Sequence, residues 1–151
     1  MKSLADPAAQ REIEARITTL APTDRPRWGT MSVDQMIVHL TEAYLCGLGE
    51  KTLAMGRPRI PRPIMKFAAL RIPMQWPHGF PSPPEIAQDQ YGRPPIEFQQ
   101  DHAALLAALH AFCANPPNPG PPHPYFGRMS MRDWQRWGYL HADHHLRQFG
   151  R

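Results

Sequence analysis

The amino-acid sequence predicts an all-α protein, and three observations support this class. Valine occurs only twice, and no run of alternating β-branched residues indicates a strand. Several stretches space their apolar residues three or four positions apart, as a helix with one buried face requires. The 19 prolines are concentrated at 58–84, 94–95 and 116–124, which leaves the other stretches almost free of helix breakers. The pattern predicts helices joined by stiff, extended loops.

The first two helices have recognisable starts. An Asp-Pro pair is typical of an N-cap followed by the first helical residue, and it predicts a helix at about 7–20. Ser32 with Gln35 three positions later forms a capping-box pattern. We expect the second helix to continue from Ser32 until Gly47 or Gly49 ends it.

Three further helices follow along the chain. A short helix is expected at 62–71, and a longer helix rich in Ala and Leu is expected at 95–114, with Ile96 as its first apolar contact. The last helix begins at Ser130 and runs to about Phe149. Four long amphipathic helices predict a four-helix bundle, with the short helix as an extra element.

The proline-rich segment 72–94 is too long for a simple connector. Loops of this length in compact domains are usually functional or disordered. Because the segment contains Trp76 and Phe80, we expect it to pack on the bundle.

Length and composition limit the class of protein further. A chain of 151 residues predicts one domain over 1–151. No stretch approaches the roughly 18 apolar residues of a membrane-spanning helix, and no signal peptide is visible. Cys46 and Cys113 fall in apolar helical surroundings, which favours reduced, buried thiols in a cytoplasmic protein.

The histidines give the strongest functional signal. His141 and His145 are four residues apart in the last helix, so their imidazoles share one face and could bind one transition-metal ion. His39, on the inward face of the second helix, is the candidate third ligand. Three imidazoles leave positions open for water or substrate, which is the catalytic arrangement. With eight histidines in the chain, a chance pair and a core His39 are the competing interpretations.

The other histidines carry less information. His144 also forms an acceptable i,i+3 pair with His141, so it competes with His145 or lies beside the site. We interpret the remaining four as surface or loop residues: His78, His102, His110 and His123.

Residues 51–71, which we call the basic segment, contain six cations and no anion. As a lid over the bundle mouth, the segment would attract an anionic co-substrate, such as a low-molecular-weight thiol. As a basic amphipathic piece, it could lie on an anionic membrane surface. The third interpretation is an ordinary solvated face that docks its apolar side on the bundle. Nucleic-acid binding is not supported, because no recognised motif accompanies the charge.

Three stretches together resemble the DinB/YfiT superfamily of helical-bundle metalloproteins. Residues 28–40 (WGTMSVDQMIVHL) are similar to the start of the second helix in that family, with its ligand histidine. Residues 73–85 are similar to the inter-helix loop of an uncharacterised branch. Residues 123–130 (HPYFGRMS), followed by Trp134 and 141–149, are similar to its final helix. These stretches span most of the chain.

The resemblance implies an antiparallel four-helix bundle in which three histidines hold a divalent metal ion. The final-helix signature of the superfamily, His-x-x-x-His-x-x-Gln, aligns on Gln148. It selects His145 rather than His144, with His141 one turn earlier, and His39 completes the set. Zinc or nickel is the expected ion, and the ligand set does not separate them.

Further side chains are expected around this triad. Glu42, one turn beyond His39, could accept a hydrogen bond from a ligand imidazole or act as general base. Asp143 is a second candidate acceptor. Other expected contacts with ligand imidazoles or substrate come from Gln35, Trp76, His144, Arg147 and Gln148.

Related members include thiol-dependent S-transferases and isomerases, and proteins described as metal-dependent hydrolases. The resemblance therefore implies an enzyme that activates a thiol or water for transfer or hydrolysis of a small molecule. One alternative is a non-catalytic bundle that binds or senses a ligand. Another is a peripheral membrane or interaction protein that uses the basic segment. Two copies of the chain could pair as a homodimer.

Overall fold

The computed structural model of the protein describes residues 1–88 and 92–151. Within these residues the chain forms five α-helices, a 3-10 helix at Pro84–Ile86 and no strand. The helices are α1 (Pro7–Thr18), α2 (Val33–Leu48), α3 (Arg62–Arg71), α4 (Phe98–Ala114) and α5 (Met131–Gln148). The predicted all-α class is therefore confirmed.

Side-chain caps fix the starts of the two helices that carry the histidines. Ser32 accepts a hydrogen bond from the Gln35 N–H, and the Gln35 side chain accepts one from the Ser32 N–H, so α2 begins with a complete capping box. Ser130 and Asp133 form the same reciprocal pair at α5. At the other end of α2, Gly49 adopts a left-handed φ of 84°, so it is the glycine that ends the helix.

The start of α4 differs from the prediction. The helix begins at Phe98 rather than at residue 95, and Ile96 is 66% exposed instead of being a core contact. Asp101 causes the difference, because its buried carboxylate accepts hydrogen bonds from the Ile96 N–H at 2.8 Å and from Arg93 at 2.6 Å. These bonds hold the chain ahead of the helix in an extended conformation, with Glu97 as the N-cap.

The four longer helices contact one another in a closed ring. α1 packs on α4 and α5, and α2 packs on the same two helices. This arrangement is compatible with an all-α bundle. α3 lies against α5, and the 3-10 helix lies against α2, so the segments between the long helices gather beside the α2–α5 contact. Among the described residues, no helix combines the length and the apolar character needed to cross a bilayer.

At one level of the bundle an aromatic ring fills the space between two glycines. A Cβ added at Gly47 would lie 2.7 Å from the Phe112 ring, and one at Gly138 would lie 2.9 Å from it. The Tyr44 hydroxyl donates to the Gly138 carbonyl at 3.1 Å. We call Tyr44, Gly47, Phe112 and Gly138 the packed layer. The two glycines leave no room for a ligand at this level, because Phe112 occupies the space beside them.

The loop after α3 is only partly packed. Trp76 is half-buried and donates its indole N–H to the Ala69 carbonyl at 3.0 Å, which ties the loop to α3. Phe80 is 53% exposed and contacts the Tyr125 ring, so only Trp76 packs as expected.

Both cysteines are free thiols, Cys46 buried and Cys113 half-buried. Burial, assisted by nearby Glu85, raises the pKa of Cys46 to about 12. A thiol held in this protonated state is a poor nucleophile at neutral pH.

Candidate metal centre

α2 and α5 bring three histidines together. The Nε2 atoms of His39 and His141 are 3.2 Å apart, and the centroid of the His145 ring lies 4.8 Å from that of His39 and 4.9 Å from that of His141. One ring nitrogen of each residue lies within 4.8 Å of the others. Ligand nitrogens around a tetrahedral zinc ion are roughly 3.4 Å apart, given a bond of about 2.1 Å. The predicted convergence is confirmed, and the three histidines could hold a metal ion.

The nitrogens that face away from this cluster fix the tautomers of two rings. His39 Nδ1 lies 2.9 Å from the Ile86 carbonyl oxygen. A carbonyl oxygen can only accept a hydrogen bond, so Nδ1 carries the proton. Nε2 is therefore unprotonated, and its lone pair faces the cluster. The 3-10 helix that carries Ile86 is therefore part of the site. Its role was missed because sequence patterns reveal side chains and not the path of a loop carbonyl.

Gln148 plays the corresponding part for His145. His145 Nδ1 lies 3.0 Å from Gln148 Oε1, and Gln148 Nε2 donates to the Trp28 carbonyl at 2.8 Å. The second bond sets the orientation of the amide, so Oε1 is the acceptor and His145 Nδ1 is the donor. Outer bonds of this kind are typical of metal-ligating histidines.

His141 is held differently. Its ring stacks on Trp137, with centroids 4.9 Å apart, and its buried Nδ1 has no hydrogen-bond partner among the described residues. Its Nε2 faces the lone pair of His39. Two nitrogens this close need a shared proton or a shared cation between them, because two lone pairs repel. The donor set thus fits a divalent ion that binds imidazole.

Burial keeps the triad uncharged. It lowers the pKa of His39, against the opposing effect of the hydrogen bond to Ile86. It holds the pKa of His141 and His145 well below the ordinary value, with a further contribution from neighbouring histidines. Neutral imidazoles are the form that binds metal, so the ligands need no deprotonation at neutral pH.

A cavity of about 1100 Å³ adjoins the triad. Among the candidate residues for substrate contact, Gln35, Trp76, His144 and Gln148 line it. His144 lies beside His145, with ring centroids 5.1 Å apart, and burial lowers its pKa to about 4.

The acidic candidates are engaged elsewhere. Glu42 is buried, but its carboxylate pairs with Lys51. Glu42 is not among the described residues that line the cavity. Asp143 accepts hydrogen bonds from Arg16 at 2.8 Å and from Arg147 at 3.1 Å. The structure therefore joins neither carboxylate to a ligand imidazole. The positions that we expected them to fill belong to the Ile86 carbonyl and the Gln148 amide.

His123 lies in the loop between α4 and α5, as one of the two expected alternatives has it, but it is not a surface residue. It is 9% exposed and lines the cavity, rather than lying at the surface. Its ring stacks on Phe126 with centroids 4.4 Å apart and lies 5.4 Å from the Trp137 ring. Burial lowers its pKa to about 3. The signal in the sequence was its place in an aromatic segment just ahead of the Trp-rich start of α5.

Among the described residues, carboxylates pair with three of the six cations of the basic segment. Lys66 and Arg71 lie 3.7 and 2.7 Å from the carboxylate of Asp133, and Lys51 pairs with Glu42. Apolar residues of the segment, rather than its arginines, line the cavity. The segment forms part of the wall of the cavity, but it does not direct a cluster of positive charge into it.

Fold and site together define an all-helical protein in which three histidines that could hold a metal ion lie beside a large cavity. A family model described as "Protein of unknown function (DUF1569)" matches residues 6–151, and the chain belongs to this family. Neither the curated proteins nor the solved structures contain a match.

Proposed function

We propose that the protein is a metal-dependent enzyme of the DinB/YfiT type, whose centre activates a thiol or water for transfer or hydrolysis of a small molecule. The observation that carries this proposal is the cluster of neutral His39, His141 and His145 at the wall of a cavity. The ring of helix contacts supports the antiparallel four-helix arrangement of that superfamily. A single domain over 1–151, a cytoplasmic location and a homodimer stay predictions.

The residues around the centre would each have a defined part. His39, His141 and His145 would hold zinc or nickel, while Ile86 and Gln148 keep two of the rings in the ligating tautomer. A bound divalent ion supplies Lewis acidity, which lowers the pKa of water or of a thiol. The residues that line the cavity would orient the second reactant and exclude bulk water.

Thiol activation is the better supported of the two chemistries. The described lining of the cavity includes no carboxylate, and Glu42 is paired with Lys51. Metal-dependent hydrolysis usually requires a general base as well as the metal, whereas a thiol can be ionised by the metal alone. Glu42 as a general base stays a prediction that requires its release from Lys51.

Metal content tests the proposal directly. The protein would be produced with zinc or nickel in the medium and compared with His39→Ala, His141→Ala and His145→Ala. We expect about one ion per chain in the unmodified protein and a loss of affinity of roughly a hundredfold or more in each variant, because a ligand is removed. His110→Ala, at an exposed position on α4, is the matched control. Equal metal content in all five proteins would overturn the centre.

A second measurement addresses the chemistry. In the cobalt-substituted protein, titration with a small thiol should produce a thiolate-to-cobalt absorption band, which His141→Ala should lack. Binding of the thiol without such a band, together with turnover of esters or amides, would replace thiol transfer by hydrolysis. Ligand binding with no turnover across a broad panel would favour the non-catalytic alternative.

A further inference from the structure

The walls of the cavity differ in chemistry from its metal end. Away from the triad, the basic segment and the loops before α2, after α3 and after α4 contribute mainly hydrocarbon and aromatic surface, for example Met31, Leu53, Ile64, Met65, Met74 and Phe126. A volume of about 1100 Å³ is slightly above the usual range for pockets that bind drug-sized ligands. The space is therefore much larger than a water molecule or a small thiol needs.

The charges of the cavity are few. Among the described residues that line the cavity, the only one with a charged Lys, Arg, Asp or Glu side chain is Lys51. Glu42 neutralises its charge. A multiply charged ligand would lose its hydration there without gaining a counter-charge, which is costly. An anionic low-molecular-weight thiol, which the cations of the basic segment suggested, does not match this lining.

One fixed hydrogen-bond donor lies near the triad. His123 Nδ1 accepts hydrogen bonds from the backbone N–H groups of Tyr125 and Phe126, both at 3.2 Å. Those two donors leave no proton on Nδ1, so the neutral ring carries its proton on Nε2. Trp137 packs between His123 and His141, with centroid distances of 5.4 and 4.9 Å. The donor is thus one aromatic ring away from the candidate metal ligands.

We infer that the substrate of this site has an elongated apolar body and a hydrogen-bond acceptor at the end nearest the triad. The apolar body lies along the walls formed by α3 and the loops, and His123 Nε2–H binds the acceptor. The inference rests on the proposed function only in taking the triad as the reacting end.

Straight-chain alcohols from butanol to decanol are suitable probes, because each has one acceptor oxygen and a variable apolar body. All four tryptophans line the cavity, so intrinsic fluorescence reports occupancy. We expect the dissociation constant to fall by up to about fourfold for each added methylene group. A dissociation constant that does not change with chain length, or an absence of binding, would overturn the inference.

Matched variants on α3 locate the binding. Ala68 lines the cavity, whereas the adjacent Phe67 does not line it and is 63% exposed. Ala68→Phe should weaken decanol binding at least tenfold by filling the cavity, and Phe67→Ser should change it by less than twofold. The opposite pattern would place the alcohol on the outer surface and refute the inference.

The acceptor and the metal are tested separately. His123→Phe should weaken every alcohol by roughly fivefold without changing the gain per methylene, because one hydrogen bond is lost. Unchanged affinity in this variant would remove the acceptor from the inference. The series is repeated with His141→Ala, which should keep the chain-length dependence while losing the metal. In the unmodified protein, chain-length dependence without metal binding would leave the inference and overturn the proposed function. Metal binding without chain-length dependence would leave the proposed function and overturn the inference.

Discussion

α2 and α5 meet at two levels that differ completely in character. In the packed layer, Phe112 fills the space left by Gly47 and Gly138, and the one polar group, the Tyr44 hydroxyl, has a partner. One turn further along α5 is the open layer, which we define as His39, His141 and His145. There the side chains are polar, one ring nitrogen has no partner among the described residues, and the space beside them is a cavity.

The contrast indicates how the site is kept in place. Unpaired polar groups in a cavity do not hold two helices together, since they lose hydration and gain few contacts. The packed layer supplies that contact energy and sets the distance between α2 and α5. The open layer can therefore keep three imidazoles close together before any ion binds, which is the preorganisation that a functional site needs.

Removing the Phe112 ring, which fills the packed layer, should have the largest effect on the free energy of unfolding. Phe112→Ala is expected to lower the free energy of unfolding by about 3–5 kcal/mol, because it removes a fully buried ring and leaves a cavity. Urea denaturation followed by circular dichroism measures the change. Phe67→Ala, at an exposed position, is the control and should change the free energy by less than about 0.5 kcal/mol. Similar losses in the two variants would mean that the packed layer has no special role.

Removing the side chain that orients one ring of the open layer should affect metal binding rather than stability. Gln148→Ala removes the acceptor that orients His145, and we expect metal affinity to fall about tenfold to a hundredfold while the helical content is unchanged. Competition with a chromogenic chelator measures the affinity. Gln100→Ala, at an exposed position on α4, should bind as the unmodified protein does. Full affinity in Gln148→Ala would show that the Gln148 contact does not support the site.

A fall in pH should change the stability that His123 contributes in the wall of the cavity, and not the stability that the packed layer contributes. The folded state lowers the pKa of His123 from 6.5 to about 3, so the unfolded chain takes up the proton first as the pH falls. The stabilising contribution of the neutral ring is complete above pH 6.5 and is lost between pH 6.5 and about 3.

Substitution of the same residue isolates this contribution. Relative to the unmodified protein, His123→Phe should gain stability as the pH falls through this window, by at most about 1.4 kcal/mol per pH unit. Urea unfolding at a series of pH values measures the difference between the two proteins. Parallel curves would mean that His123 is not held neutral.

The sequence predicted those parts of the site that depend on helical geometry alone. The four-residue spacing of His141 and His145, and the capping box that begins α2 ahead of His39, determine which faces the imidazoles occupy. What it did not predict depends on the paths of the loops. His123 was missed because a proline-rich segment folds back onto α5.

Local competition explains the other differences. Glu42 was placed on the correct helix, yet Lys51 from the following loop takes its carboxylate. The start of α4 moved because the Asp101 carboxylate holds the residues ahead of it. In both cases the partner is a single charged residue whose position depends on tertiary structure, which helix propensity and periodicity do not describe.

The bond between His39 and the carbonyl of Ile86 has an evolutionary consequence. The acceptor belongs to the main chain, so no substitution at position 86 deletes it, and the buried Ile86 side chain is constrained by packing alone. Insertions and deletions are another matter, because changing the length of the loop would move that oxygen away from the imidazole. Among homologous chains, the spacing between α3 and the 3-10 turn should therefore be constrained more tightly than the identity of the residues within it.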